Sequence, residues 1–169
     1  MQNDQPSRKI IDKFNLLPHP EGGYYKETYR SPEMISGSAL PKRFKNDRSY
    51  STAIYFLLEQ GDFSAFHKIQ SDECWHFYFG QTLIIQVVLL NGRLVTVKLG
   101  QNISEGDVFQ YVVPAGSWFA AEPATGTDYA LVGCTVAPGF DFNDFVLANP
   151  VELSKQFPQH RALVTRLSR

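Results

Sequence analysis

Gly61–Gly80, GDFSAFHKIQSDECWHFYFG, reads as two short strands, Ser64–Ile69 and Glu73–Phe79, bounded by glycines and broken at Gln70–Asp72. Alternate residues of a strand share a face, so His67 and Ile69 lie together, and Glu73, Trp75, Phe77 and Phe79 form another row. One carboxylate therefore ends a row of aromatic side chains. A row this apolar has to face a core, and it carries Glu73 inward with it. His76 falls on the opposite face, which suits a surface or an interface.

The same pattern extends in both directions. Strand-like runs recur at Ser51–Leu58, Thr82–Leu90, Arg93–Leu99, Val108–Val113, Trp118–Ala121 and Tyr129–Val136, divided by glycines and by the Asn91-Gly92 hairpin signal. Before them, Tyr24–Arg30 reads as a strand with Tyr25, Glu27 and Tyr29 on one face, and Arg8–Phe14 as a short helix stopped by Pro18 and Pro20. Ser31–Arg48 reads as a long surface loop whose basic run ends in Arg48, and Pro138-Gly139 with DFNDFVLANP closes the strand series. Val151–Arg169 suits one or two helical turns packed outside. No crossover helix separates the strands, so an antiparallel barrel or sandwich follows.

Composition narrows the functional classes. A chain of 169 residues with 43% hydrophobic content suits one domain over residues 1–169, with a barrel core at about 24–140 and no need of disulfides or metal for folding. Lys plus Arg is 16 and Asp plus Glu 17, without a long block of one sign, which argues against nucleic acid and anionic membranes. The polar N-terminus and the absence of a long apolar run suit a cytoplasmic protein. Cys74 and Cys134 are too far apart for a zinc knuckle and read as free thiols. The aromatic share of 14% exceeds what one small core needs, and with the resemblance below it suggests a homodimer, pairing through Tyr24–Arg30.

The spacing Gly61, His67, Ile69, Glu73, Gly80 resembles the first motif of the cupins, with Ile69 where that motif has a second histidine. A degraded second motif stands in GDVFQYVVPAGSWF, where Gly106, Pro114 and Gly116 match and Phe119 replaces the third metal-binding histidine. The strings PHPEGGYYKETYRS and SDECWHFYFG resemble a subfamily of small cupins over nearly the whole chain. The resemblance implies an all-β double-stranded β-helix, a jelly-roll barrel, with short helices at both ends. It also implies a small-molecule ligand in the barrel mouth, conceivably carbohydrate-like, since some metal-free cupins are sugar-nucleotide epimerases that use a histidine and a tyrosine.

With donor atoms missing at Ile69 and Phe119, no metal and no other cofactor is expected, although His19 could conceivably complete a site. A carboxylate and an imidazole in an aromatic cavity instead suit proton transfer. The expected machinery is His67 as base, Glu73 as its partner and Tyr25, or alternatively Tyr29, as proton donor. Glu27, Tyr29, Arg48, Trp75, Phe77 and Phe119 are the expected ligand contacts, Arg48 for any anionic group. The alternatives are a binding module without chemistry and, less favoured, a metal-dependent oxygenase.

Overall fold

A computed structural model describes residues 5–169. Helix α1 (Pro6–Phe14) is followed by β1 (Leu17–Pro18), β2 (Tyr24–Arg30), β3 (Met34–Ile35), β4 (Arg48–Ser49), β5 (Thr52–Glu59), β6 (Ser64–Lys68) and β7 (Asp72–Gly80). Then come β8 (Leu83–Val88), β9 (Leu94–Leu99), β10 (Gln110–Val113), β11 (Trp118–Pro123), β12 (Tyr129–Ala137), β13 (Val146–Leu147), α2 (Pro150–Gln156) and α3 (Arg161–Arg166). The strands form a six-stranded sheet, β1-β2-β5-β12-β7-β10, and a five-stranded sheet, β13-β6-β11-β8-β9, in a jelly-roll arrangement. The ladders within them are antiparallel, as the short glycine-rich connections require.

Between the sheets the alternation expected from sequence fills one end of the barrel and leaves the other open. Leu58, Leu83, Ile85, Leu99, Ala130 and Val132 close one end, while Phe56, Trp75 and Phe119 meet at mid-height with rings nearly perpendicular. Two satellite cores cover the outer faces. Ile11 of α1 and Leu16 pack on Leu57, Tyr129 and Leu131, which explains why β12 is buried on both faces. Leu153, Phe157, Val164 and Leu167 of the C-terminal helices pack on Phe66, Val88 and Ala120. No helix among the described residues is long and apolar enough to cross a membrane.

Two β-bulges redirect side chains that a strict period of two places elsewhere. In β2, Glu27 pairs with Ile54 but Tyr29 with Ala53, so Thr28 is the extra residue and bonds through its hydroxyl to the Ala53 carbonyl. Tyr29 consequently turns out to solvent, 52% exposed, and Arg30 takes the inward position. In β7 the register shifts between Phe77, opposite Val132, and Phe79, opposite Leu131, which puts Phe79 on the outer face at 61% exposure.

The segment read as a surface loop is partly ordered by a β3–β4 pair, and it buries Arg48. The segment after Pro138 does not simply end the barrel. It returns over the open end as a strap, anchored by Gly139 N–H to Ser49 O and Phe140 N–H to Thr52 Oγ1, and rejoins the sheet where β13 pairs with β6.

Candidate functional site

The open end of the barrel holds a cavity of about 480 Å³. Its walls are successive inward positions of the strands: Tyr25, Glu27 and Arg30 from β2; Thr52, Ile54 and Phe56 from β5; Cys134 and Val136 from β12. Glu73 of β7 continues this wall beside Val136, His67 of β6 and Ile69 face it from the other sheet, and Phe140, Asp141 and Phe142 of the strap lean over the mouth. His19 and Glu21 complete the lining from the turn before β2.

That turn was legible only as a turn. Its glycines have positive φ, 110° at Gly22 and 72° at Gly23, and a Cβ at Gly22 would lie 2.1 Å from the Phe63 carbonyl. Glycine is therefore needed to bring the chain against β6, where Ala65 N–H donates to Glu21 O at 2.7 Å and Gly23 N–H to Asp62 at 2.9 Å. The result is a buried Glu21 side chain inserted beside His67. Polar groups placed by a tight loop on a rigid barrel are where function concentrates; the sequence signal available was an acidic residue between Pro20 and two glycines.

The partner of His67 is thus Glu21, not Glu73. His67 Nε2 lies 3.1 Å from Glu21 Oε2, while Nδ1 faces the Ala65 carbonyl at 2.8 Å. A carbonyl only accepts, so Nδ1 carries a proton. Burial pushes His67 down to about 3 and raises Glu21 well above the usual carboxyl range, the latter aided by the nearby Glu73 charge. Glu21 then holds the shared proton and donates it to Nε2, accepting meanwhile from Ser64 Oγ at 2.9 Å. His19 is neutral as well, lowered to about 4 by burial, and its Nδ1 accepts the Glu21 N–H at 3.3 Å, leaving the proton on Nε2. His67 does not titrate near neutrality, because its environment is too dry for the imidazolium.

Glu73 is the group that titrates there. Burial raises it to about 7, an effect the Cys134 and Trp75 side chains only partly offset. Among the described residues no cation pairs with it. It sits between Val113 and Val136 in the sheet and is 8% exposed.

Tyr25 and Glu27 line the cavity as the sequence suggested, Tyr25 standing edge-on to His19 at 4.6 Å between ring centroids. The remaining expected ligand contacts lie elsewhere. Tyr29 is turned out by the bulge. Trp75 and Phe119 are each 1% exposed and form the packing beneath the cavity, Phe119 with its ring 4.1 Å from that of His67. Phe77 packs into the main core. Arg48 is bonded in fork geometry to Asp144, at 2.7 and 2.6 Å, and does not reach the cavity. Its inward counterpart is Arg30, held by Glu27 through two bonds of 3.0 and 2.7 Å. His76 faces outward, against Thr135 and Gln110.

The donor set does not fit a cupin-type metal. Ile69 and Phe119 offer no lone pair, the Phe119 ring fills the space beside His67, and Glu21 already occupies Nε2. Among the described residues no three His, Cys, Asp or Glu side chains are grouped to hold an ion.

Comparison with known proteins agrees with this architecture. Residues 8–148 match the family model described as Cupin superfamily (DUF985). The Saccharomyces cerevisiae protein named Uncharacterized protein YML079W is 31% identical over 147 residues, covering 81% of this chain and 72% of that one. The crystal structure of protein SO0799 from Shewanella oneidensis is 38% identical with a TM-score of 0.87, covering 98% of both chains. A hypothetical protein from Leishmania major is 33% identical with a TM-score of 0.84, covering 94% of this chain and 96% of that one. Oxalate decarboxylase from Bacillus subtilis superposes with a TM-score of 0.54 at 14% identity, over 89% of this chain and 36% of its own, a likeness of fold alone. The match over residues 8–148, on a jelly-roll fold, places the chain in the DUF985 family of the cupin superfamily.

Proposed function

We propose that the cavity binds a small polar molecule and moves a proton on it without a metal, in the manner of an isomerase or epimerase. The observation that carries this reading is Glu73: a buried carboxyl facing a cavity of ligand size, with no cation of its own among the described residues. A general base works best when its pKa lies near the working pH, and Glu73 is raised to about 7. In the carboxylate form it takes a proton from a carbon acid; the C–H electron pair stays on the substrate as an enolate, and the protonated carboxyl returns the proton to the same or a neighbouring carbon. Donors for the developing oxyanion are at hand in the Tyr25 hydroxyl and His19 Nε2–H, while the neutral Glu21–His67 pair adds no competing charge.

A sugar nucleotide fits this site poorly. Arg30, the one guanidinium lining the cavity among the described residues, is already paired with Glu27, so a diphosphate finds no free cation.

The test is hydrogen exchange in heavy water. A ligand found by native mass spectrometry or thermal shift is incubated in D₂O, and deuterium uptake at carbon is followed by NMR. Wild-type protein is expected to catalyse uptake and Glu73→Gln to lose roughly 10²- to 10⁴-fold of the rate, the usual contribution of a positioned acid–base group. A bound ligand that the wild type leaves unexchanged would make this a binding module instead.

The expected homodimer is also a proposal. Strand β2 is paired with β5 along its length but with β1 only at Tyr24 and Tyr25, so the outer edge of Lys26–Arg30 is open for pairing with a second copy. Light scattering at micromolar concentration is expected to give twice the 19.1 kDa chain mass, and the monomer mass would contradict it.

A further inference from the structure

We propose that the ligand of this cavity is a small organic cation, its ammonium group held between the Glu73 carboxylate and the aromatic rings at the mouth. The proposal rests on the reading of the cavity as a small-molecule site and names the class of molecule.

Charge is the first support. Besides Glu21, which shares a proton with His67, the cavity is lined by the carboxyl groups of Glu27, Glu73 and Asp141. The opposing guanidinium of Arg30 is spent: Nε and one terminal nitrogen bond Glu27 at 3.0 and 2.7 Å, and the other bonds Ser49 Oγ at 3.2 Å and Phe140 O at 3.1 Å. Four of its five N–H groups are thus used within the protein. Neither histidine supplies positive charge, since His67 has both nitrogens engaged and His19 Nδ1 accepts a backbone N–H. With Glu27 and Arg30 paired to each other, an anionic ligand would meet the carboxyl groups of Glu73 and Asp141 and, among the described residues, no available cation.

Shape is the second. Tyr25 and Phe142 flank His19 at the mouth and Phe140 stands against Phe142, the two rings at 82° to each other with centroids 5.0 Å apart. His19 lies edge-on to Tyr25 and nearly parallel to Phe142. Differently oriented rings form the walls that attract an ammonium through their negative faces, most strongly where water is excluded.

The third is the isolated carboxyl. Glu73 is buried and, among the described residues, has no cationic partner, and a buried charge without a counter-charge is costly. An ammonium supplies the partner, and its presence favours the carboxylate, the form that acts as base.

Calorimetric titration tests the proposal with choline and ethanolamine as cationic probes, the neutral carbon isostere of choline as control, and malonate and inorganic phosphate as anions. A cationic probe is expected to bind at least tenfold more tightly than the isostere, with neither anion competing. Because the cation selects ionised Glu73, its affinity is expected to rise roughly tenfold between about pH 6 and pH 8 in the wild type and to stay flat in Glu73→Gln. Phe142→Ala, a change at a half-exposed ring, is expected to weaken choline and spare the fold. Equal binding of choline and its isostere, preference for an anion, or no binding by either cation would overturn the cation class. Deuterium exchange on some other ligand would still leave the proton-transfer reading standing, which keeps the two failures distinct.

Discussion

At about pH 8, Glu73→Gln is expected to be more stable than the wild type by about 3 kcal/mol, and at about pH 4.5 the two proteins are expected to differ little. In the unfolded chain Glu73 ionises at the ordinary carboxyl value of 4.5, whereas burial in the folded barrel raises it to about 7. Between these values the folded state binds the extra proton, so stability falls as pH rises. The contribution is complete below 4.5 and gone above about 7, and a shift of this size corresponds to about 3 kcal/mol at 1.36 kcal/mol per unit. Glutamine has the shape of the protonated acid and never ionises, so it removes the alkaline loss. Glu21 acts in the same direction. His19 and His67 act oppositely: lowered from 6.5 to about 4 and about 3, they withdraw stability as pH falls below 6.5. The two carboxyls and the two histidines oppose one another between 4.5 and 6.5, so stability is expected to vary least there and to fall away on both sides. Urea denaturation of both proteins across this pH range checks the prediction. A Glu73→Gln protein that is less stable at every pH would show that the carboxyl has a structural partner.

A residue whose removal raises stability while abolishing exchange is one retained for function. Glu73 was readable as an inward-facing carboxyl because its sequence environment is a strand of aromatics, and the alternation of β7 holds through Trp75 and Phe77. The same rule failed for Tyr29 and Phe79 because a bulge adds one residue without a compositional mark and reverses every face beyond it. Trp75, Phe77 and Phe119 were on the inward face as expected, but inward positions are core or cavity according to their height in the barrel, which local pattern does not encode. Glu21 was hidden for another reason. Its contact with His67 is made across 46 positions by a turn whose glycines specify a bend and not its destination. Likewise the strap reads as a loop of aromatics and acids, and only the barrel beneath it turns Phe140 and Phe142 into walls.

Arg48 decides how firmly that strap is held. Its guanidinium is 2% exposed and clamps both oxygens of Asp144, itself 7% exposed, while its remaining terminal nitrogen bonds the carbonyls of Asn46 and Asp47. Asp144 belongs to the short helical turn Phe142–Asp144 that carries Phe142 to the mouth, so the pair links the β3–β4 arm to the strap across the barrel opening. Arg48→Ala leaves a buried carboxylate without a counter-charge, and breaking such a pair typically costs about 3 to 5 kcal/mol. In a chain of this size that corresponds to a drop in melting temperature of roughly 6 to 20 °C. Arg48→Lys is expected to recover only part of the loss, because an ammonium cannot reproduce the two parallel bonds. Replacing the pair together, Arg48→Met with Asp144→Leu, is expected to restore most of the stability by removing both charges from the interior. The strap has a separate readout: amide exchange of residues 140–147 is expected to quicken in Arg48→Ala more than that of β12, which lies between two packed faces. A loss below about 1 kcal/mol, the range of an exposed ion pair, with unchanged exchange in the strap, would mean that the contacts of Gly139 and Phe140 with Ser49 and Thr52 hold it without the clamp.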